Sequence, residues 1–341
     1  MRLVAIGGSA GALEALRALA APLRPDLDMA FLTVIHSSPR HETKLPQLLA
    51  RVSAVPAHVA ADGDHIERGH MYVAQAGMHL IVNDGRLRVM MGPKENAYRP
   101  SIDVLFRSAA QVAGRDAVGV VISGSLDDGS LGLAAIKAHG GITMVQDPDE
   151  AAVPDMPRNA LQSSAVDYVL PAADIGAKLI ELDAAPDAGT FDNVVASRVP
   201  VDSNGMPSEE DFGQPSAFVC PECGGTLWEL DGERTSHYRC RVGHAYSADT
   251  LITEKEGTLE ASLWTAVRSL QEQADFMKRI ADRARRSNAQ HRVLRNFEKK
   301  RAQAIAARDA VRSVLQRLGA EEARADEVQA EGAVGIPGAG D

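Results

Sequence analysis

Short apolar runs alternate with helical patterns over the first 183 residues. The runs that predict strands are LVAI (3–6), MAFLTVI (29–35), MYVA (71–74), HLIV (79–82), LRVMM (87–91), AVGVVIS (117–123), ITMVQ (142–146) and DYVL (167–170). Helical patterns fall at 11–21, 43–53, 101–113, 130–138 and 173–183. Consecutive apolar positions are typical of strands buried on both faces, and alternation with helices is typical of parallel βαβ units. The pattern predicts an α/β domain over residues 1–183, with a doubly wound, mostly parallel, Rossmann-like sheet. The tight-turn signal NDG (83–85) predicts a small antiparallel hairpin within 71–91.

The pattern changes after residue 183. Residues 184–217 are rich in Asp, Pro, Ser and Gly, which predicts an acidic, flexible linker. Residues 218–246 form a short segment rich in Cys and His. Apolar residues then recur at steps of three and four over 247–318, with a polar break at SNAQ (287–290), which predicts a helical hairpin or coiled coil. The Ala/Glu/Gly-rich residues 319–341 are predicted to be a disordered tail.

Composition narrows the function classes. The chain has 341 residues, enough for two or three domains of about 150 residues each. Its net charge of −10 argues against chain-wide attraction to nucleic acid or anionic membranes. The longest uncharged run, 69–83, is shorter than the roughly 20 apolar residues that span a bilayer. We therefore expect no membrane insertion and a cytoplasmic location.

The three cysteines lie within one short window. Cys220, Cys223, Cys240 and His244 give the spacing C-x2-C-x16-C-x3-H, with glycines where knuckle turns need them. This spacing predicts a zinc ribbon, in which four filled positions make the zinc structural. Free thiols are the alternative, and His237 is a competing fourth ligand with less regular spacing.

Polar residues follow three of the predicted strands. Ser9 follows the first strand within GGSAG, His36 follows the second, and Asp127 and Asp128 follow AVGVVIS. Each signal has a simpler alternative: Ser9 as a helix cap or part of a phosphate-binding turn, His36 as a loop residue, and the aspartates as turn formers. Together they supply the groups for nucleophilic acyl transfer, at the sheet edge where ligands bind.

Five segments resemble the catalytic domain of the chemotaxis protein-glutamate methylesterases, the CheB family. These segments are GGSAGALEAL, VIHSSP, YRPSIDVLFRSAA, VVISGSLDDGSLG and GGITMVQDPDEAAVPDMPRNA, all within residues 1–183. The resemblance implies a doubly wound α/β fold and a Ser-His-Asp triad of Ser9, His36 and Asp128. Asp128 is favoured over Asp127 because it directly precedes the glycine.

The resemblance also implies the reaction. It is hydrolysis of glutamyl methyl esters on methyl-accepting chemotaxis receptors, releasing methanol, often with deamidation of receptor glutamines. No cofactor is needed for catalysis. Ala10, Ser125 and Met156 are the candidate oxyanion or rim residues.

Three departures from the family pattern bear on function. Ser123-Gly124-Ser125 stands where the family usually has threonine-glycine-methionine, and Ala10 and Ala12 stand where threonine and glycine are common. The chain starts directly on the first predicted strand, with no phosphorylatable receiver domain before it, so we expect regulation from elsewhere.

Two alternatives to the methylesterase function follow from these departures. One is a non-catalytic signalling adaptor that retains the esterase-like domain, and the other is a hydrolase of another ester or amide.

The predicted helical region has a basic stretch. Residues 278–301 carry ten Lys/Arg, with only Asp282 and Glu298 as acids. A solvated helix face explains this charge. The alternatives are docking of an acidic signalling partner, self-association through the helical arm and, last, nucleic-acid binding.

Overall fold

A computed structural model describes residues 1–36, 43–184, 214–230, 236–286 and 291–332. Most of the predicted linker and the predicted break at 287–290 lie outside these residues. The chain forms two units, Met1–Ile252 and Thr253–Asp341.

The first unit is built on a seven-stranded parallel sheet with the order β3-β4-β2-β1-β7-β8-β9. Its strands are β1 (Arg2–Gly8), β2 (Met29–Ile35), β3 (Ala57–Val59), β4 (Met71–Val73), β7 (Ala117–Val121), β8 (Ile142–Gln146) and β9 (Tyr168–Leu170). This confirms the prediction of a doubly wound, mostly parallel sheet. The short, partly exposed β3 was not predicted, because three residues carry too little apolar pattern.

Helices cover both faces of the sheet. They are α1 (Ala12–Ala20), α2 (Leu45–Leu49), α3 (Ile102–Ala113), α4 (Ser130–Ala138), α5 (Asp155–Ser163) and α6 (Ala172–Ala184). Along β1, Val4 and Ile6 pack with α1, α2 and α6, whereas Leu3 and Ala5 pack with α3, α4 and α5. Each strand is therefore buried on both sides, which explains the uninterrupted apolar runs.

A separate two-stranded hairpin pairs β5 (His79–Asn83) with β6 (Arg86–Met90). Its turn residues Asp84 and Gly85 have positive φ values of 47° and 72°, the conformation that the NDG signal favours. The predicted hairpin thus exists over 79–90. Residues 71–73, which we had placed in it, instead join the parallel sheet as β4.

A four-stranded antiparallel sheet completes the first unit. Its strands are β10 (Gln214–Val219), β11 (Thr226–Leu230), β12 (His237–Cys240) and β13 (Ala245–Ser247), in that spatial order. Leu227, Tyr246 and Leu251 form its small buried core, together with Cys220 and Cys240. We call residues 214–252 the ribbon module.

Two long helices follow, α7 (Ala248–Arg286) and α8 (His291–Gly332). In the second unit, Gln271 contacts Arg308 and Arg285 contacts Glu298, so the two helices run antiparallel. Val267, Ala274 and Ala281 are buried at a seven-residue spacing, as in a coiled-coil seam. Helix α8 extends to Gly332, into the segment 319–341 for which we had predicted a disordered tail.

None of the described helices combines the length and apolar character needed to cross a membrane.

Gly132→Ala tests the packing of α3 against α4. A β-carbon at Gly132 would lie 3.1 Å from the Cα of Asp103 and would also press on the Phe106 side chain. We expect a loss of about 1–3 kcal/mol in unfolding free energy, because the two helices must move apart. Denaturant unfolding of the full chain measures it.

Gly257→Ala is the matched control. Gly257 lies inside α7 with nothing within 4 Å of its added β-carbon. Alanine there should be neutral or stabilise by up to about 1 kcal/mol. Equal effects of the two substitutions would contradict the packing argument.

Candidate functional site

Three neighbouring strands bring the predicted site residues to one edge of the sheet. β2, β1 and β7 are adjacent and parallel. Ser9 follows β1, His36 follows β2, and the loop 123–128 follows β7. After β1 the chain adds strands on one side and later returns to add β7 on the other. The site therefore lies at the topological switch point, where open α/β sheets bind ligands.

His36 and Asp128 are hydrogen-bonded. The Nε2 atom of His36 lies 2.9 Å from Oδ2 of Asp128, and the two side chains are only 3% and 1% exposed. Asp127, the residue weighed against Asp128, accepts instead from Thr250 Oγ1 at 2.9 Å. Within the described residues, Nδ1 of His36 is buried and has no hydrogen-bond partner. When Nε2 carries the proton toward Asp128, Nδ1 is the basic nitrogen.

The Asp128 carboxylate sits at the N-terminus of α3. Its Oδ2 accepts from the Ile102 N–H at 2.7 Å, and its Oδ1 accepts from the Asp103 N–H at 3.1 Å and from Ser101 Oγ at 2.9 Å. These donors are the unsatisfied amides of a helix start and the hydroxyl before it, a natural site for a negative charge.

The environment keeps Asp128 ionised. Burial alone would raise the pKa of this carboxyl. The hydrogen bond from His36, with those from the Ile102 and Asp103 amides, more than offsets burial, so the pKa lies below its ordinary value. The neighbouring Asp103 shows the opposite direction, because burial first and the Asp128 charge second raise its pKa well above the ordinary value.

Three residues that we did not predict complete the surroundings of the pair. The Tyr98 ring stacks on the His36 ring, with centroids 3.8 Å apart. Asn96 Nδ2 donates to Asp103 Oδ2 at 2.9 Å and reaches Asp128 Oδ1 at 3.4 Å. Tyr98 and Asp103 lie in the segment YRPSIDVLFRSAA, whose resemblance was the available signal. Asn96 lies outside that segment and gave none.

Ser9 lies beside His36 without a hydrogen bond to it. The His36 N–H donates to the Gly8 carbonyl at 3.0 Å, so the hydrogen bonds between β1 and β2 continue up to Gly8 and His36. The helix-cap alternative for Ser9 is wrong: Gly11 holds the N-cap position of α1, in left-handed conformation, and no side chain caps it. The Ser9 N–H donates to the Ser123 carbonyl at 2.9 Å, which joins the turn after β1 to the loop after β7.

The candidate oxyanion and rim residues lie in the turns that follow β1 and β7 and at the start of α5. In the described part of the chain, the backbone N–H groups of Ala10 and Ser125 have no hydrogen-bond acceptor. The Met156 N–H donates to the Gly124 carbonyl at 2.8 Å. A β-carbon built on Gly124 would lie 2.8 Å from the Met156 sulfur and 3.0 Å from the Ser9 β-carbon. Met156 is fully buried, so it packs beneath Gly124 and the Ser9 turn and offers no exposed surface.

The ribbon module gathers a Cys3His cluster. Ligand atoms of Cys220, Cys223, Cys240 and His244 all lie within 4.8 Å of one another. The His244 Nδ1 atom lies 3.6 Å from Cys220 Sγ and 3.5 Å from Cys240 Sγ, and the Cys223 and Cys240 sulfurs are 3.6 Å apart. Ligand atoms around a tetrahedral zinc ion are separated by about 3.5–3.8 Å. The cluster could therefore hold a metal ion, and it contains His244 rather than the competing His237.

The chain belongs to a known family. Its fold and site are those of a doubly wound α/β domain with a histidine–carboxylate pair at the carboxyl edge of the sheet. The family model described as CheB methylesterase matches residues 4–179, just over half of the chain. The chain is therefore a member of the CheB methylesterase family, as the motifs predicted.

Curated relatives agree over the same region. A protein-glutamate methylesterase/protein-glutamine glutaminase 1 from Xanthomonas campestris pv. campestris is 39% identical over 187 residues, which are 54% of this chain and 52% of the relative. A protein-glutamate methylesterase/protein-glutamine glutaminase from Yersinia pestis bv. Antiqua is 36% identical over 183 residues, 52% of each chain. The chain thus spans about half the length of these relatives.

A solved structure also agrees. The crystal structure of the CheB methylesterase catalytic domain from Thermotoga maritima has a TM-score of 0.51 and 29% identity. The match covers 53% of this chain and 98% of the Thermotoga chain. The similarity therefore extends over nearly all of that domain and about half of this chain.

His79 supports the N-terminus of α3 and gives a pH test. Its Nε2 donates to the Pro93 carbonyl at 2.7 Å, and its Nδ1 accepts from the Ser101 N–H at 3.2 Å. Burial lowers the pKa of His79 below 6.5, and the charge of Arg99 adds to the shift, against the raising effects of the Pro93 bond, Glu95 and Asp128. Because the folded state favours the neutral ring, this stabilisation is present above about pH 6.5 and is lost as the pH falls toward the folded pKa.

His79→Gln should therefore cost stability mainly at higher pH. At pH 8 we expect a loss of about 1–3 kcal/mol, because two buried hydrogen bonds are disturbed. The gap to the wild type should narrow as the pH falls from 6.5 to 5, which unfolding curves at four pH values measure. Parallel pH dependences of the two proteins would contradict the assignment of a neutral, buried His79.

Proposed function

We propose that this protein is a protein-glutamate methylesterase that hydrolyses glutamyl methyl esters through Ser9, His36 and Asp128. The observation that carries the proposal is the buried hydrogen bond between His36 and Asp128, with the second His36 nitrogen unpartnered among the described residues beside the Ser9 turn. The printed names of the curated relatives support the substrate class and add protein-glutamine glutaminase as a second activity.

In the first half-reaction, Ser9 Oγ attacks the ester carbonyl carbon while His36 Nδ1 takes the hydroxyl proton. Asp128 holds the imidazole in the tautomer that leaves Nδ1 basic and stabilises the imidazolium that forms. The tetrahedral intermediate then breaks its bond to the methoxy oxygen. That oxygen takes the proton from His36, methanol leaves, and the glutamyl group stays on Ser9 as an ester.

In the second half-reaction, water repeats the attack. His36 removes a proton from the water as its oxygen adds to the acyl carbon. Collapse of the second tetrahedral intermediate returns the proton to Ser9 Oγ and releases a glutamate side chain. A glutamine substrate would follow the same path with ammonia as the leaving group.

Negative charge develops on the carbonyl oxygen in both steps. The N–H groups of Ala10 and Ser125 support an oxyanion site, because neither has an acceptor among the described residues. The N-terminus of α1 behind Ser9 adds favourable potential. Met156 was the candidate rim residue, but its side chain is fully buried, so its proposed role is to support Gly124 from behind, at the loop where the family's usual methionine is replaced by Ser125.

We also propose that the Cys3His cluster binds one structural zinc ion. All four positions would be filled by protein ligands, so zinc would stabilise the ribbon module and take no part in hydrolysis. The three thiolates and one imidazole are the donor set that zinc prefers.

The proposed partners are methyl-accepting chemotaxis receptors in the cytoplasm. The long helices α7 and α8 are proposed as a coiled-coil arm for self-association or for an acidic signalling partner. The ten basic residues between 278 and 301 support the second role.

Ser9→Ala should abolish methanol release from a methylated receptor fragment. The variant lacks the nucleophile, so the rate should fall at least about a thousandfold while the fold is retained. Gas chromatography of released methanol measures it. Ser262→Ala is the control, because this hydroxyl donates only to Thr258 within its own helix.

The alternatives give different results. Full activity of the Ser9→Ala protein would overturn the triad assignment. If neither protein releases methanol while a reference methylesterase does, hydrolysis of small surrogate esters separates an enzyme with another substrate from a non-catalytic adaptor.

The purified full-length chain should contain one zinc ion, and Cys220→Ser should lose it, as measured by elemental analysis. His237→Gln is the matched control and should retain the metal, because His237 is not in the cluster. Absence of metal from the wild-type protein after purification without chelators, and no uptake of added zinc, would reject the site.

A further inference from the structure

The ribbon module is joined to the loop that precedes α3. The Asn96 N–H donates to the Ala245 carbonyl at 2.8 Å, and the Ala245 N–H donates to the Lys94 carbonyl at 3.3 Å. Glu95 and Ala245 form a parallel β-bridge. Residues 94–96 are therefore joined to the edge of the ribbon sheet at β13 through this single bridge.

A buried ion pair joins the same elements. Glu95 Oε2 lies 2.6 Å from Arg107 Nη2 on α3, and Glu95 Oε1 lies 3.3 Å from Arg239 Nη2 on β12. The three side chains are between 7% and 13% exposed. Burial would raise the pKa of Glu95, but the two guanidinium groups keep it below the ordinary value, so the carboxylate is charged. Removing one partner would leave a buried charge uncompensated, which ties the ribbon module firmly to α3.

Asn96 connects the ribbon module to the Asp128 carboxylate. Its Oδ1 accepts from the Ser247 N–H at 3.0 Å, while its Nδ2 donates to Asp103 at 2.9 Å and reaches Asp128 at 3.4 Å. This arrangement sets the orientation of the amide, because the backbone N–H needs an acceptor and the carboxylates need a donor. Asn96 is 5% exposed, so it is placed to act on Asp128 rather than on a substrate.

A second connection reaches the residue beside Asp128. Thr250 is fully buried and its hydroxyl donates to Asp127 Oδ1 at 2.9 Å. The Ser247 hydroxyl in turn accepts from the Thr250 N–H at 3.0 Å, which fixes this end of the ribbon module. Asp127 is thus held directly by a residue beyond the family domain, whereas Asp128 is linked to the ribbon module through Asn96.

We propose that the ribbon module is a built-in positioning element for the active site, with Asn96 as the positioning residue that holds Asp128 toward His36. Metal binding at Cys220, Cys223, Cys240 and His244 would order the ribbon module and therefore govern the activity of a site that contains none of the metal ligands. The effect on catalysis rests on the proposed function, and the contacts themselves do not.

Asn96→Asp is the sharpest variant. Asn96 has a φ of 50°, a left-handed conformation that aspartate and glycine tolerate. Aspartate keeps the acceptor for Ser247 but puts a carboxylate oxygen in place of the donor to Asp103 and Asp128. We expect kcat to fall roughly ten- to hundredfold with little change in KM, because Asn96 sets geometry and does not touch substrate. Asn96→Gly, which loses both functions, should be at least as impaired.

Metal removal tests the other end of the connection. Cys223→Ser changes the exposed cysteine of the cluster, and Val242→Ala, with its exposed side chain on the second knuckle, is the matched control. Hydrogen exchange of the full chain is read at the Ile102 and Asp103 amides, which donate to Asp128, and in β7 as an internal reference. After metal loss we expect about tenfold faster exchange at the two amides with β7 unchanged. Reloading zinc into chelator-treated wild-type protein should reverse both the exchange and the kcat effect.

The outcomes separate this inference from the proposed function. If the wild type is active but Asn96→Asp and metal loss change neither kcat nor exchange, the positioning role is overturned and the methylesterase stands. If Asn96→Asp keeps nearly full activity and only Asn96→Gly loses it, Asn96 merely anchors the ribbon module. This outcome also overturns the positioning role. If the wild type is inactive, exchange at Ile102 and Asp103 decides: faster exchange on metal loss supports the connection, and unchanged exchange rejects it.

Discussion

The site depends on a buried carboxylate held at the start of a helix. Asp128 accepts from the Ile102 and Asp103 amides, from Ser101 and from His36, so its charge is satisfied although water is excluded. Because these backbone donors are the first residues of α3, the carboxylate is satisfied only when the helix begins at Ile102. The hairpin β5–β6, His79 and the loop 94–98 all contribute to that placement, since they precede α3 and bond to its first residues.

The same requirement gives a role to the small ribbon module, which contacts the loop that precedes α3. The loop 94–98 has one face on the ribbon module and the other on the His36–Asp128 pair. The ribbon module has only a small buried core, and the buried Glu95 ion pairs join it to α3. The proposed metal ion in the Cys3His cluster would add to its order.

Sequence reasoning succeeded where the pattern is local. The apolar runs located eight of the nine strands β1–β9 to within about two residues, because strands buried on both faces leave few alternatives. It placed MYVA in the hairpin and missed β3, because partners in a parallel sheet are far apart in sequence. The motif Cys220 to His244 was equally local, and its four side chains meet in the structure.

The chain's apolar periodicity, its glycine-rich turns and its family motifs were enough to specify a doubly wound sheet with Ser9, His36 and Asp128 at one edge. The family motifs favoured Asp128 over Asp127, but only the tertiary structure gives the physical reason: Asp128 faces His36 and the start of α3, whereas Asp127 accepts from Thr250. It alone revealed Asn96 and the contacts of the ribbon module with the site. Those contacts join residues more than 100 positions apart, and no periodicity or spacing along the chain encodes such a meeting.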